Sequence, residues 1–318
     1  MKTPQVSVCI PAYQQPRGVA RALQSLREQD YRDYEVIVTD DSADASVETV
    51  CREFAPHLPL RYFRNAPPQG TPENWNVAMR QAGGAYIKIL HHDDWFTSPS
   101  ALGAYARMLD AQPDADFAFS GSLNINSRGE LVNQRQLTMA QVKRIRQRPE
   151  ILFCNNLVGA PSATIFRRRA NLLFDPQFKW IVDVDFYIRM LSRKQPFAYN
   201  PDPLVSVTVQ SPQQVTAACT NNPSVEIGEN LALYVKLLSA GGVGLLVFNH
   251  MLNLFRRFSI TDEPAVRACG YGGPIPAELK LYFSHQRRLL QIEGCVQGLL
   301  VAGLYGCARC LRPFRRRA

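Results

Sequence analysis

Along the first 120 residues, short apolar runs alternate with amphipathic stretches. Residues 6–10 (VSVCI) are an apolar run that stops at Pro11, and they predict a strand. Over 16–29 the apolar residues Val19, Leu23 and Leu26 recur at helical spacing, which predicts a helix. Residues 34–38 predict a second strand, running into Thr39-Asp40-Asp41-Ser42, with a helix over 46–54 and a third strand over 60–63. The next helix carries explicit end signals: Thr71 as cap, Pro72 in the first turn, Glu73 at the positive end of the dipole, and Gly83-Gly84 as the stop. A fourth strand over 85–90, a helix over 98–111 and a fifth strand over 116–120 complete the series.

Strands alternating with helices imply a Rossmann-like α/β fold: a doubly wound, mainly parallel sheet with helices on both faces. Ligands of such sheets collect outside the carboxyl ends of the strands. Tyr13-Gln14 follows strand one, Asp40-Asp41 follows strand two, and His91-His92-Asp93-Asp94 follows strand four, so three polar groups are expected at one crevice.

Beyond residue 121 the pattern loosens. Residues 134–150 are polar and basic, a helix or a loop. Residues 163–166 suggest a strand, 180–189 open a helix, and 197–209 return as extended chain. From about residue 225 the sequence turns helical and apolar, which divides the chain into 1–225 and a mainly helical region 226–318.

Composition is that of a globular protein, 46% hydrophobic and 20% charged. The net charge of +9 is concentrated late: from Arg287 onward seven arginines face one acid, Glu293. That local excess points to a surface-binding tail and not to a nucleic-acid groove, and no interleaving of aromatic and basic residues supports RNA binding. Residues 294–308 are too short an apolar stretch to span a bilayer. An in-plane helix on an anionic membrane and a helix packed on protein are both open readings of the tail. Cys307 and Cys310 form a lone C-x-x-C with no second pair, which falls short of a zinc site. Met1-Lys2-Thr3-Pro4 leads straight into a strand with no signal-peptide pattern, so a cytoplasmic location is expected, at the inner face of the membrane if the tail engages lipid.

The chemistry concentrates in HHDD. Adjacent carboxylates repel unless a cation lies between them, and oxygen ligands favour Mg²⁺ or Mn²⁺ shared with substrate phosphates. The bland readings are a helix cap for Asp93-Asp94 and solvated surface for His91 and His92. Asp40-Asp41 is either a helix cap or a nucleotide contact, since a carboxylate accepts hydrogen bonds from a base N–H or ribose hydroxyls.

The segments VSVCIPAYQQ, EVIVTDDSAD, GTPENWNVAMRQAGGAYIKILHHDDWF and IVDVDFYIRM, in this order, resemble the family 2 glycosyltransferases of the GT-A fold. The resemblance spans residues 6–190. It implies a nucleotide-sugar half over 1–120 and an acceptor half over 121–225. Pro11, Ala12 and Tyr13 would line the nucleotide pocket, Asp40 or Asp41 would hold the base, and His92 would lie beside the donor. The family's D-x-D motif falls on His91-His92-Asp93. Asp93 matches the metal-contacting carboxylate, His91 replaces the first one, and Asp94 assists. The family's acceptor-side E-D pair falls on Val182-Asp183, which makes Asp183 the candidate general base, with Asp185 in reserve.

The implied activity is inverting, non-processive transfer of a sugar from a nucleotide-sugar donor, with Mn²⁺ or Mg²⁺, to a glycan or lipid-linked acceptor in cell-surface polysaccharide assembly. No Q-x-x-R-W motif links the chain to processive synthases, and no G-x-G-x-x-G follows strand one, against a dinucleotide-dependent oxidoreductase. Two alternatives stand beside this reading. A nucleotidyltransferase would need a Gly-rich basic loop where only Gln14-Gln-Pro-Arg17-Gly18 stands. A catalytically silent nucleotide-sugar binding protein would account for His91 and for the missing Glu.

Overall fold

A computed structural model of the chain describes residues 3–193, 195–211, 214–241, 243–289 and 301–307. The chain divides into two compact units, Met1–Ala217 and Ala218–Ala318.

The first unit is built on one mixed sheet. Its parallel half contains β1 (Val6–Ala12), β2 (Tyr34–Asp40), β3 (Leu60–Arg64) and β4 (Tyr86–Ile89), in the order β3-β2-β1-β4. The connecting helices are α1 (Pro16–Arg27), α2 (Ser46–Phe54) and α3 (Glu73–Gln81). β1 is buried along its whole length because helices cover both sheet faces. Val6, Val8 and Ile10 share a core with Val19, Leu23 and Leu26 of α1, and full burial of such a side chain stabilises by about 1.5–3 kcal/mol. Cys9 and Cys51 are buried in this half; burial pushes the Cys9 thiol up and the Cys51 thiol to about 12, so neither is a nucleophile.

The other half departs from parallel pairing. A two-residue strand β5 (Trp95–Phe96), α4 (Ala101–Asp110), the long β6 (Phe117–Ile125) and the exposed β7 (Leu131–Arg135) lead to α5 (Met139–Gln147). Two 3₁₀ turns precede β8 (Thr164–Arg167), α6 (Val182–Leu191) and β9 (Phe197–Thr208). β8 inserts antiparallel between β4 and β6, β7 pairs antiparallel with β6, and β9 pairs parallel with β6 and antiparallel with β5. Parallel pairing thus holds across β3-β2-β1-β4 and returns between β6 and β9, while β5, β7 and β8 pair antiparallel.

The helix over 73–81 forms where its sequence signals placed it, but Thr71 does not cap it. Pro72 takes the N-cap position and no side chain caps the helix; Thr71 lies on the cavity wall instead.

The second unit is helical: α7 (Val215–Cys219) leads into it, followed by α8 (Pro223–Ser239), α9 (Leu245–Arg257), α10 (Glu263–Ala268) and α11 (Ala277–Leu289). Asn222 caps α8 by accepting from Ser224 N at 3.1 Å, and the buried Glu226 takes two bonds from Arg257 at 3.0 and 3.1 Å. Among the described residues no helix is long and apolar enough to cross a membrane. Most of the basic tail, 290–300 and 308–318 with Cys310, lies outside the described residues.

Candidate active site

A cavity of about 530 Å³ opens at the carboxyl ends of the strands. One wall is the HHDD segment. It leaves β4 after Leu90 and turns back at once, with Asp94 N donating to His91 O at 3.0 Å. Its position depends on Gly18 of α1: a Cβ there would meet His92 O at 2.8 Å and Asp93 Cα at 3.4 Å. Arg21, one turn further, donates to Asp93 O at 2.7 Å and lies over the Trp95 ring at 3.6 Å. Thr208 at the end of β9 completes the clamp, its N–H donating to Asp94 Oδ1 at 2.8 Å and its hydroxyl to Asp93 O at 2.5 Å.

His91, Asp93 and Asp94 each offer one ligand atom, all within 4.8 Å of one another. His91 Nε2, His92 Nε2 and Asp94 Oδ2 are buried with no hydrogen-bond partner. Buried polar atoms are rarely left so, and here they describe a ligand-shaped deficit. Burial pushes His91 down to about 4, against the pull of Asp93, so its imidazole is neutral and able to ligate. Burial, reinforced by Asp93, pushes Asp94 well up, an arrangement a cation would relieve. The donor set of one imidazole and two carboxylates fits a divalent cation such as Mn²⁺ or Mg²⁺.

Beneath the cluster lies a fully buried cation. Lys88, in the middle of β4, donates to Ile89 O at 2.9 Å and to Ser162 O, and its ammonium lies 4.5 Å from the Tyr105 ring centre. Burial lowers it to about 7, while Asp94 opposes that shift. Ser162 also accepts from His91 N at 2.9 Å. Trp75 of α3 packs on His91 with ring centres 4.7 Å apart.

Asp183 stands on the opposite wall, in the first turn of α6. It is half-buried, with Oδ1 accepting from Val184 N at 2.8 Å and Oδ2 from Asn156 Nδ2 at 2.7 Å. Burial raises its carboxyl to about 6, while these hydrogen bonds and the Arg135 charge act in the other direction. That is a useful value for a base working near neutrality. Asp185 is buried away from the cavity lining and bound to Arg189 at 2.8 Å, as befits a structural residue.

The nucleotide-side residues divide. Tyr13 is 54% exposed and lines the cavity with His92, whose Nδ1 contacts Pro11 O at 3.1 Å. Pro11 and Ala12 are the buried end of β1. Asp40 is saturated by Ser42 N at 2.9 Å, the Ser42 hydroxyl at 2.5 Å and the Tyr62 hydroxyl at 2.8 Å. Asp41 gathers Asn65 Nδ2 and Gly70 N, each at 2.7 Å, with Gln69 N at 3.0 Å. Both are buried, and neither lines the cavity. Residues that the motifs did not single out are Trp75, Lys88, Arg21, Asn156, Ser162 and Thr208. Only Lys88 carried a signal, a charge inside an apolar strand.

The His91, Asp93 and Asp94 cluster and the raised Asp183 carboxyl thus line one cavity at the carboxyl edge of an α/β sheet, the place where ligands of such sheets collect. The glycosyl transferase family 2 model matches residues 7–172, and the chain belongs to that family. It is 30% identical over 205 residues to the uncharacterized protein MT1568 of Mycobacterium tuberculosis, 60% of this chain and 63% of that one. It is 24% identical over 264 residues to an uncharacterized glycosyltransferase of Haemophilus influenzae, 79% of this chain and 86% of that one. Among solved structures, Staphylococcus aureus TarS 1–349 in complex with UDP-GlcNAc superposes with a TM-score of 0.63 at 19% identity, over 89% of this chain and 87% of that one. TarS is named a poly(ribitol-phosphate) β-N-acetylglucosaminyltransferase.

Proposed function

We propose that the protein is an inverting, non-processive glycosyltransferase that moves a sugar from a nucleotide-sugar donor to a hydroxyl of a glycan or lipid-linked acceptor, in cell-surface polysaccharide assembly. The observation that carries this reading is the single cavity shared by the His91, Asp93 and Asp94 cluster and the raised Asp183 carboxyl. The poly(ribitol-phosphate) in the name of TarS supports a polymeric, hydroxyl-bearing acceptor.

The donor's diphosphate lies toward His91, Asp93 and Asp94, which would hold Mn²⁺ or Mg²⁺. Such an ion, when bound, offsets negative charge on a departing diphosphate. Tyr13, Pro11 and Ala12 flank the nucleoside, and His92 presents its partnerless Nε2 to the donor. Asp41 fixes the 65–70 segment as the wall for the base, while Asp40 braces β2 and β3. Asp183 removes the proton from the acceptor hydroxyl as that oxygen bonds to the anomeric carbon and the carbon–diphosphate bond breaks, so configuration inverts. Location at the inner membrane face, through the basic tail, belongs to this proposal.

The test is a screen of UDP-, GDP- and dTDP-sugars with Mn²⁺ or Mg²⁺, followed by variants on the active donor. Asp183→Asn is expected to keep donor affinity and lose about 10²–10⁴-fold in transfer. Asp93→Ala is expected to lose metal-dependent donor binding. Transfer by Asp183→Asn at the parental rate would refute the base assignment. Donor binding with no turnover on any acceptor would favour the silent binding protein.

A further inference from the structure

Asp183 is oriented by a loop that the catalytic reading leaves unused. Residues 156–162 run along the cavity wall and touch both of its ends. At one end Asn156 donates to Asp183 Oδ2 at 2.7 Å; at the other Ser162 accepts from His91 N at 2.9 Å. The orientation of the Asn156 amide is fixed twice within the loop. Its Oδ1 accepts from Gly159 N at 2.9 Å, and its Nδ2 reaches Gly159 O at 3.2 Å. Gly159 has φ of +99°, a conformation that only glycine adopts easily, so the loop's shape is part of the arrangement. Arg135 of β7 donates to Asn156 O at 2.7 Å and Leu157 O at 3.3 Å, and the Tyr187 hydroxyl donates to Gly159 O at 3.1 Å.

With Oδ1 committed to Gly159, only an N–H can face Asp183. An N–H supports the ionised carboxylate and offers nothing to a carboxylic O–H. We propose that Asn156 is a positioning residue for the base: it selects the ionised form of Asp183, turns one oxygen out of play, and leaves the carboxylate a single orientation toward the acceptor hydroxyl. This inference rests on Asp183 being the base. The charged and titratable groups around that carboxyl are Arg135 from β7, Tyr187 from α6 and Lys179 from the segment before it, with His91, Asp93 and Asp94 across the cavity. None of these supplies the hydrogen bond that Asn156 supplies.

The experiment uses the full chain and its active donor. Asn156→Leu removes the donor hydrogen bond. Asn156→Asp keeps the acceptor for Gly159 N and places a second carboxyl against Asp183. Donor affinity by calorimetry, within about twofold of the parent, shows that each variant is folded.

Both variants are expected to lower kcat about tenfold or more, with donor KM little changed. The acid limb of the pH–kcat profile should move upward by about one unit in Asn156→Leu and further in Asn156→Asp. A variant too slow to assay is read by carbon-13 titration of the Asp183 carboxyl, which should show the same upward shift. A kcat and acid limb coincident with the parent would overturn the inference, as would an equal loss at every pH with no shift of the Asp183 titration. Asp183→Asn separates the two ideas: if it transfers normally, the base reading fails, and if it is inactive while Asn156→Leu behaves as the parent, only the role of Asn156 fails.

Discussion

Gly18→Ala sets two known effects against each other at one position. In a helix interior alanine is more stable than glycine by up to about 1 kcal/mol. At Gly18, however, the new Cβ would lie 2.8 Å from His92 O and 3.4 Å from Asp93 Cα. Both are backbone atoms, so no flexible side chain can absorb the contact. Overpacking of this kind costs about 1–3 kcal/mol. Gly18 is the third residue of α1, so the offset is between none and that full increment, and the net result is a loss of between roughly zero and 3 kcal/mol, a fall of several degrees in Tm at most for a unit of this size. The larger effect is functional, because relief of the clash moves the turn carrying His92 and Asp93. Sites tolerate only about 0.5 Å of displacement before their geometry degrades.

Calorimetric donor binding in Mn²⁺ should therefore weaken about tenfold, equivalent to about 1.4 kcal/mol. Gly228→Ala in α8 is the control, since nothing lies within 4 Å of its Cβ, and it should gain stability without touching donor affinity. If Gly18→Ala gains the full helix-propensity increment and binds donor like the parent, the close packing of α1 on the turn is not a constraint and the reasoning fails.

The raised Asp183 carboxyl predicts opposite pH trends for stability and activity. Its folded value of about 6 lies above the ordinary 3.8, so between these values the folded protein holds the proton more tightly than the unfolded chain. This contribution to stability is complete below about pH 4 and is lost as pH rises through 6, while transfer rises over the same interval. Denaturation of the parent and Asp183→Asn across pH 4–7 should show this slope in the parent and a flatter one in the variant; parallel slopes would contradict it. Asp185→Ala removes the carboxylate bound to Arg189 and should cost about 1–3 kcal/mol in denaturant titration, with donor affinity unchanged. A large loss of donor binding in that variant would place Asp185 in the site.

The legible parts of this protein were those with period or adjacency. The apolar runs of 6–10, 34–38 and 85–90 located β1, β2 and β4 to within a few residues, because strands buried on both faces must be continuously apolar. Four consecutive polar residues at the end of β4 marked His91 to Asp94, and Asp183 was visible at a helix start. Asn156 and Ser162 were not, since Asn156 sits in an irregular loop and Ser162 in a three-residue 3₁₀ turn, neither with any periodicity, and they act through partners 27 and 71 positions away. Asp40 and Asp41 follow strand two as expected, and both carboxylates accept hydrogen bonds from within the protein. β6, β8 and β9 showed as the runs 116–120, 163–166 and 197–209, whereas β5 and β7 are too short or too exposed to write a pattern, so their antiparallel pairings went unread.

The division of the sheet has a consequence for how such enzymes diversify. On the proposed reading the donor-side residues His91 to Asp94 follow β4 of the parallel half, held by α1 and by Thr208, whereas Arg135, Asn156 and Asp183 hang on later, antiparallel or irregular additions. Mutation can therefore remould what receives the sugar while what delivers it stays untouched. Exchanging the 131–159 segment, which stops short of the Ser162 contacts to Lys88 and His91, with that of another family member should transplant acceptor preference and leave nucleotide choice with the host; a chimera that changed nucleotide choice instead would refute that separation.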